Sequence, residues 1–226
     1  MSRDINVGRD AKGVFITGDG NVVSDTPGGR PAPGMPETGE QPMTPVSRFG
    51  FAIDVVGYGR RSEPLRQDIA ARLRSLFTSV LDGIRVAERD ADFVNTGDGG
   101  MMFLPPGTDP TRALPCLLAA TTDWLARDNS RYRDRIRLRM AVGSGLLVLA
   151  PTGLTGPLIV DLPRLLDSDP LRRAVDRHPE SDLVVLVADA LHNDVVRPYL
   201  DPIQYAFERV QVTIKEYTGV AWLWMA

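Results

Sequence analysis

A mixed α/β (α+β) domain with a ferredoxin-like βαββαβ core is the fold this chain predicts, and three observations carry the prediction. Short apolar runs bounded by turn residues alternate with stretches of helical period, in the order β-α-β-β-α-β followed by further α and β elements. The 226 residues suffice for one core of ordinary domain size plus an appendage. Residues 24–45 break the pattern: Pro27, Pro31, Pro33, Pro36, Pro42 and Pro45 sit among Gly, Thr and Glu with almost nothing apolar. Such a stretch cannot bury enough surface to offset its ordering entropy and reads as an extended linker. The expected division is a β-prone segment 1–23, a linker 24–46 and a domain 47–226.

Within the first segment, Ile5-Asn6-Val7-Gly8-Arg9-Asp10 and Gly13-Val14-Phe15-Ile16-Thr17-Gly18-Asp19-Gly20-Asn21-Val22-Val23 are β-prone runs ended by Gly and Asp or Asn. An isolated hairpin is marginal in water, so the segment needs a partner surface or copies of itself. In the domain, Arg48 to Val56 is the first strand, apolar enough to be covered by other elements. Ser62 is the expected N-cap of a helix starting at Glu63-Pro64. Leu65, Ile69, Leu73, Leu76, Phe77, Val80 and Leu81 form its apolar face, with Arg66, Arg72 and Arg74 off it. Phe93-Val94-Asn95 and Met101-Met102-Phe103-Leu104 flank a Gly-Asp-Gly turn and predict a β-hairpin. A second helix covers Ala113 to Arg127, where Pro115 is tolerable in the first turns. From Arg135 to Leu149, Ile136, Leu138, Met140 and Val142 alternate with Arg135, Arg137 and Arg139, the period of a strand. Gly143-Ser144-Gly145 permits a bulge or a tight approach there. An irregular helix around Ile159 to Ala174, a buried strand Asp182 to Val187 and a short helix Ala188 to Tyr199 follow. Phe207 to Trp224 gives two strands across a turn at Glu216-Tyr217-Thr218-Gly219.

The chemistry-bearing residues are Asp54, at the end of the apolar run Phe49 to Ile53, and Asp98, at the hairpin tip. If their strands are neighbours, two carboxylates converge where the chain leaves the sheet. Oxygen ligands of that kind suit a hard divalent cation such as Mg²⁺, which keeps waters and takes further ligands from substrate phosphates. Taken singly, each aspartate is better explained as a turn residue. Gly57-Tyr58-Gly59 leads into the helix N-terminus, where free amides can cradle phosphate, although an ordinary strand-to-helix loop reads the same way.

Composition excludes other classes. Acids and arginines intersperse at a formal net charge of −3, a poor match to nucleic acid. The single Cys116 lies in an apolar helical run, so no intrachain disulfide forms, and a buried thiol in a reducing compartment is expected. No apolar run is long enough to cross a bilayer and no signal-peptide pattern opens the chain, so no membrane partner and a cytoplasmic location are expected. His178 and His192 read as isolated surface histidines, Trp222 and Trp224 as packing in an alternating strand, and no nucleophile turn is present, which leaves the catalytic residues unknown.

Phe51-Ala52-Ile53-Asp54-Val55-Val56-Gly57-Tyr58 resembles the opening strand of class III nucleotidyl (adenylate/guanylate) cyclases, where an aspartate is followed three residues later by Gly and an aromatic. Asn95-Thr96-Gly97-Asp98-Gly99-Gly100-Met101-Met102-Phe103 resembles that family's second metal-aspartate hairpin, and Leu138-Arg139-Met140-Ala141-Val142-Gly143-Ser144-Gly145 its following strand. The resemblance implies Mg²⁺ or Mn²⁺ held by Asp54, the Val55 carbonyl and Asp98, bracing a nucleoside triphosphate. It implies phosphate contacts from the amides of Gly57, Tyr58 and Gly59 and from Lys215. Because that family builds its site between two catalytic domains, it also implies a homodimer or a cyclase-like partner. The first segment resembles the Gly- and Asn-punctuated amyloid-signalling motifs of bacterial signalling and immunity proteins, which implies a protein partner; a small hairpin docked on the domain accounts for the same residues.

The chain departs from the family at two places. The purine-reading lysine is replaced by Val94. In Val160-Asp161-Leu162-Pro163-Arg164, either Asp161 stands for the family's Asn with Arg164 one residue out of phase, or Arg164 is in place and Val160 replaces the Asn. Loss of one oriented donor costs on the order of 3 kcal/mol at a transition state. The sequence therefore predicts a divergent cyclase-like sensor or adaptor with weak or lost turnover. The alternative is an active metal-dependent cyclase making a 3′,5′-cyclic nucleotide, its base not necessarily a purine.

Overall fold

The computed structural model describes residues 14–17, 21–22, 44–151, 153–201, 204–214 and 217–226. Its sheet is organised around β3 (Val46–Val55), which is buried from Arg48 onward. β3 pairs antiparallel with β5 (Gly99–Phe103) on one side and with β6 (Leu138–Ala150) on the other. β4 (Asp92–Asn95) lies beyond β5. Beyond β6 come β8 (Leu183–Ala188), parallel to it, then β10 (Tyr217–Met225) and β9 (Glu208–Ile214). A short β7 (Gly153–Thr155) folds back on the outer end of β6.

Two more strands, β1 (Val14–Thr17) and β2 (Asn21–Val22), pair with each other, and β1 adds in parallel to β4 with Val14 opposite Val94. The β-prone first segment thus supplies a strand that covers the β4 edge, which would otherwise present unpaired backbone groups. Most of the expected linker lies outside the described residues.

Period-two alternation divides β3 between two layers. Phe49, Phe51, Ile53 and Val55 pack under α1 (Glu63–Ile84) and α2 (Pro110–Arg131). Ala52 packs under α3 (Pro157–Leu166) and α4 (Asp169–Arg177). By the same parity Asp54 faces the α3 side. Among the described residues no helix is long and apolar enough to cross a membrane.

Several expectations need correction. Arg72 is not off the buried face of α1: it is 5% exposed and paired with Asp128 of α2, whereas Leu65 is 40% exposed. The irregular helix around 159–174 is two helices, because Ser168 starts a new one with Pro170 in its first turn, where the missing N–H costs nothing. Gly143 and Gly145 mark a tight approach: a Cβ on either would sit 3.3 Å from Leu158 of α3. Ile214 pairs with Tyr217, so Tyr217 to Gly219 belong to β10 and not to the turn. Cys116 is half-buried.

His192 is not a surface residue. It is 7% exposed and stacks on Trp222 with centroids 3.5 Å apart. It opens a π-helical turn, His192–Val196, between α5 (Asp189–Leu191) and α6 (Arg197–Tyr199). His178 is exposed as expected, and Trp222 packs against the core with its Nε1 donating to Asp189 at 2.8 Å.

Candidate functional site

The site is built where β3 ends. Asp54 lies opposite Gly99 of β5 and opposite Arg139 of β6. The hairpin tip is tied to this point, because the Val55 N–H donates to the Asp98 carbonyl at 3.0 Å. Within the tip, Gly97 adopts a φ of 91° that favours glycine, and its N–H donates to the Asn95 side chain at 2.8 Å. Gly99 is required by packing: a Cβ there would run into the backbone carbonyl of Ile53. The close crossing of β3 and β5 that only glycine permits brings the two sequence-predicted carboxylates together.

Gly99→Ala is expected to cost about 1–3 kcal/mol, as overpacking against fixed backbone does. Gly83→Ala, in the last turn of α1 with the Ala120 Cβ at 3.4 Å, is the control and is expected to gain up to about 1 kcal/mol. Urea unfolding of the two variants beside wild type checks both signs.

Asp54 is 5% exposed. Its Oδ2 accepts from Arg139 Nε at 2.7 Å and also from Arg139 Nη2, whereas its Oδ1 is buried without a partner. Burial pushes its carboxyl up from 3.8 to about 6; Arg139 pulls the other way, and the neighbouring Asp98 adds to the rise. An unpartnered buried carboxylate oxygen beside a second carboxylate is a site for a proton or a cation. The donor set, two carboxylates, fits Mg²⁺ or Mn²⁺, which take their remaining ligands from waters and phosphate oxygens. Among the described residues no group of three or more His, Cys, Asp or Glu could hold a metal by itself.

Gly57 follows the strand at φ 71°, and a 3₁₀ turn at Tyr58–Arg60 carries the chain into α1. Arg61 holds this loop through the carbonyls of Val56 (2.8 Å) and Arg135 (3.0 Å) and through Asp134 (3.0 Å). The Tyr58 ring packs on the core, so what this residue can offer a ligand is backbone. Lys215 lies outside the described residues.

Val94 is 5% exposed among Met101, Phe103 and Ala52. Val160 is 46% exposed on the outer face of α3, and Asp161 pairs with Arg164 at 3.4 Å.

Sequence reasoning missed Arg139 as a site residue. Its signal was the arginine alternation of residues 135–139, from which only a β6–β3 register selects the one that meets Asp54.

No protein-family model matches the chain, and no curated protein does. Solved structures do. An adenylate/guanylate cyclase/hydrolase from Silicibacter pomeroyi is 19% identical, with 81% of this chain and 98% of that one covered at a TM-score of 0.56. The adenylyl cyclase CyaB from P. aeruginosa is 14% identical over 81% and 94% at 0.55. The guanylate cyclase domain of RhGC from Catenaria anguillulae, solved in complex with GTP, is 16% identical over 80% and 96% at 0.50. Strand order, helix layers and the carboxylate hairpin together with these matches give the chain the fold of the class III adenylate/guanylate cyclase domains, in a divergent form.

Proposed function

We propose that the domain binds a nucleoside triphosphate together with Mg²⁺ or Mn²⁺ and serves as a cytoplasmic nucleotide-responsive sensor or adaptor with weak or lost cyclase activity. The observation that carries this reading is the convergence of Asp54 and Asp98 around the unpartnered Asp54 Oδ1. A divalent ion there supplies Lewis-acid charge to phosphate oxygens. Asp54 and Asp98 bind it, with the Val55 carbonyl as a further ligand. The amides of Gly57, Tyr58 and Gly59 and the Lys215 ammonium take the remaining phosphate oxygens.

Loss of turnover is supported by the two departures. Val94 is buried among apolar side chains and offers a base no polar group. The Asp161–Arg164 pair holds each residue's charge within α3. A second domain, a further copy or a cyclase-like partner, completes the site. Leu146 and Leu149 on the outer half of β6, 51% and 71% exposed, give it apolar surface to seat on. Recruitment of a protein by the first segment requires β1 to leave β4, because in this structure it is paired there.

Calorimetric titration of ATP, GTP, CTP and UTP, with Mg²⁺ and with Mn²⁺, is expected to find metal-dependent binding of one nucleotide and its loss in Asp98→Ala. Absence of binding by all four ends the reading. The active-cyclase alternative is favoured by retention of both carboxylates, and metal-dependent pyrophosphate release abolished by Asp54→Ala is the result that establishes it.

A further inference from the structure

Arg139 is the side chain at the site to which the functional reading gives no task. Two of its N–H groups hold Asp54 Oδ2, while Asp54 Oδ1 stays buried and unpartnered. The same Nη2 lies 3.9 Å from Oδ1 of Asp167, just past the end of α3. Asp167 is 54% exposed and bonded to Arg172 at 2.9 Å. Arg139 therefore stands between two carboxylates, one inner and buried, one outer and solvated. A divalent ion approaching Asp54 Oδ1 meets a fixed positive charge held on the other oxygen of the same carboxylate, and in a buried site that repulsion is poorly screened by salt. If the guanidinium turns outward, its charge keeps a partner in Asp167 and Asp54 is left open.

We propose that Arg139 is a resident cation that guards the Asp54–Asp98 pair, excluding a divalent ion while it holds Asp54 and admitting one by moving onto Asp167. The inference rests on the metal-site reading above and deepens it: Arg139 and Asp167 are positioning residues that set when metal enters.

The test is Mn²⁺ binding to the full chain without nucleotide, read as loss of the free-ion electron paramagnetic resonance signal and as the Mn²⁺-induced rise in melting temperature. Arg139→Gln removes the charge and keeps a donor, and is expected to bind Mn²⁺ roughly tenfold more tightly than wild type, within the usual range of coupling between sites. Arg139→Lys restores the charge and is expected to return most of the exclusion. Asp167→Asn, at an exposed position, removes the negative charge that would receive the guanidinium and is expected to weaken binding about fivefold. Equal Mn²⁺ affinity in wild type and Arg139→Gln, lost in Asp54→Ala, overturns the guard and leaves the metal site standing. Failure of every variant to bind Mn²⁺ overturns both. If Arg139→Gln does not fold, unchanged affinity in Asp167→Asn overturns the guard.

Discussion

Asp128→Ala is expected to lower unfolding stability by about 3–5 kcal/mol, the cost of leaving a buried charge unpaired. Arg72 and Asp128 are 5% and 7% exposed at the contact of α1 with α2. Arg72 Nε reaches both Asp128 oxygens, at 3.2 and 3.1 Å, and Nη2 donates to the same carboxylate and to the Asp134 carbonyl. The Tyr132 ring lies 4.2 Å from the guanidinium carbon, over the charge. Among the described residues, removal of Asp128 leaves the half-exposed Asp68, 3.3 Å from Nη1, and the more distant Asp134, 4.0 Å away, as counter-charges. Two controls separate pairing from packing. Asp68→Ala is expected to cost under about 1 kcal/mol, as exposed pairs do. The double change Arg72→Met with Asp128→Leu is expected to cost much less than Asp128→Ala alone, because an apolar pair of similar volume leaves no charge stranded. Urea midpoints at constant m-value read all three, and a loss below about 1 kcal/mol for Asp128→Ala would contradict the assignment.

The second large effect is a pH dependence centred on Asp54. Its carboxyl is pushed from 3.8 up to about 6, mainly by burial. The folded state therefore holds this proton more tightly than the unfolded chain. The stabilisation is fully present below about pH 4 and is lost as pH rises through about 6, with a span of about 3 kcal/mol. Asp54→Asn keeps the neutral shape and removes the titration, so between pH 4 and 7 its stability is expected to rise relative to wild type by that amount. Saturating Mg²⁺ at pH 7.5 is expected to stabilise wild type and leave Asp54→Asn unchanged, since only the charged pair binds the ion. Parallel stability curves for the two proteins from pH 4 to 7 would place the proton elsewhere.

Local pattern carried a large part of the outcome. The hairpin that presents Asp98, the strand that ends at Asp54 and the apolar faces of the first two helices follow from spacings of two, three and four residues, which local geometry reads directly. The irregularity at Pro163 and Pro170 was visible too, but not that Pro163 stays inside α3 while the chain breaks at Asp167 and Ser168, ahead of Pro170 in the first turn of α4.

What the sequence by itself determined is the order of elements, the two carboxylates and the glycines that let their strands meet. Tertiary structure alone decided what surrounds them. Arg139 meets Asp54 across 85 residues of chain, Arg72 meets Asp128 across 56, and His192 is stacked on a tryptophan of β10. Arg139, Arg72 and His192 look like surface residues in a local window. Each is drawn inward because strand register or helix docking sets a specific partner opposite it. A desolvated charge is tolerated only where the fold supplies that partner, and no spacing along the chain records which one it will be.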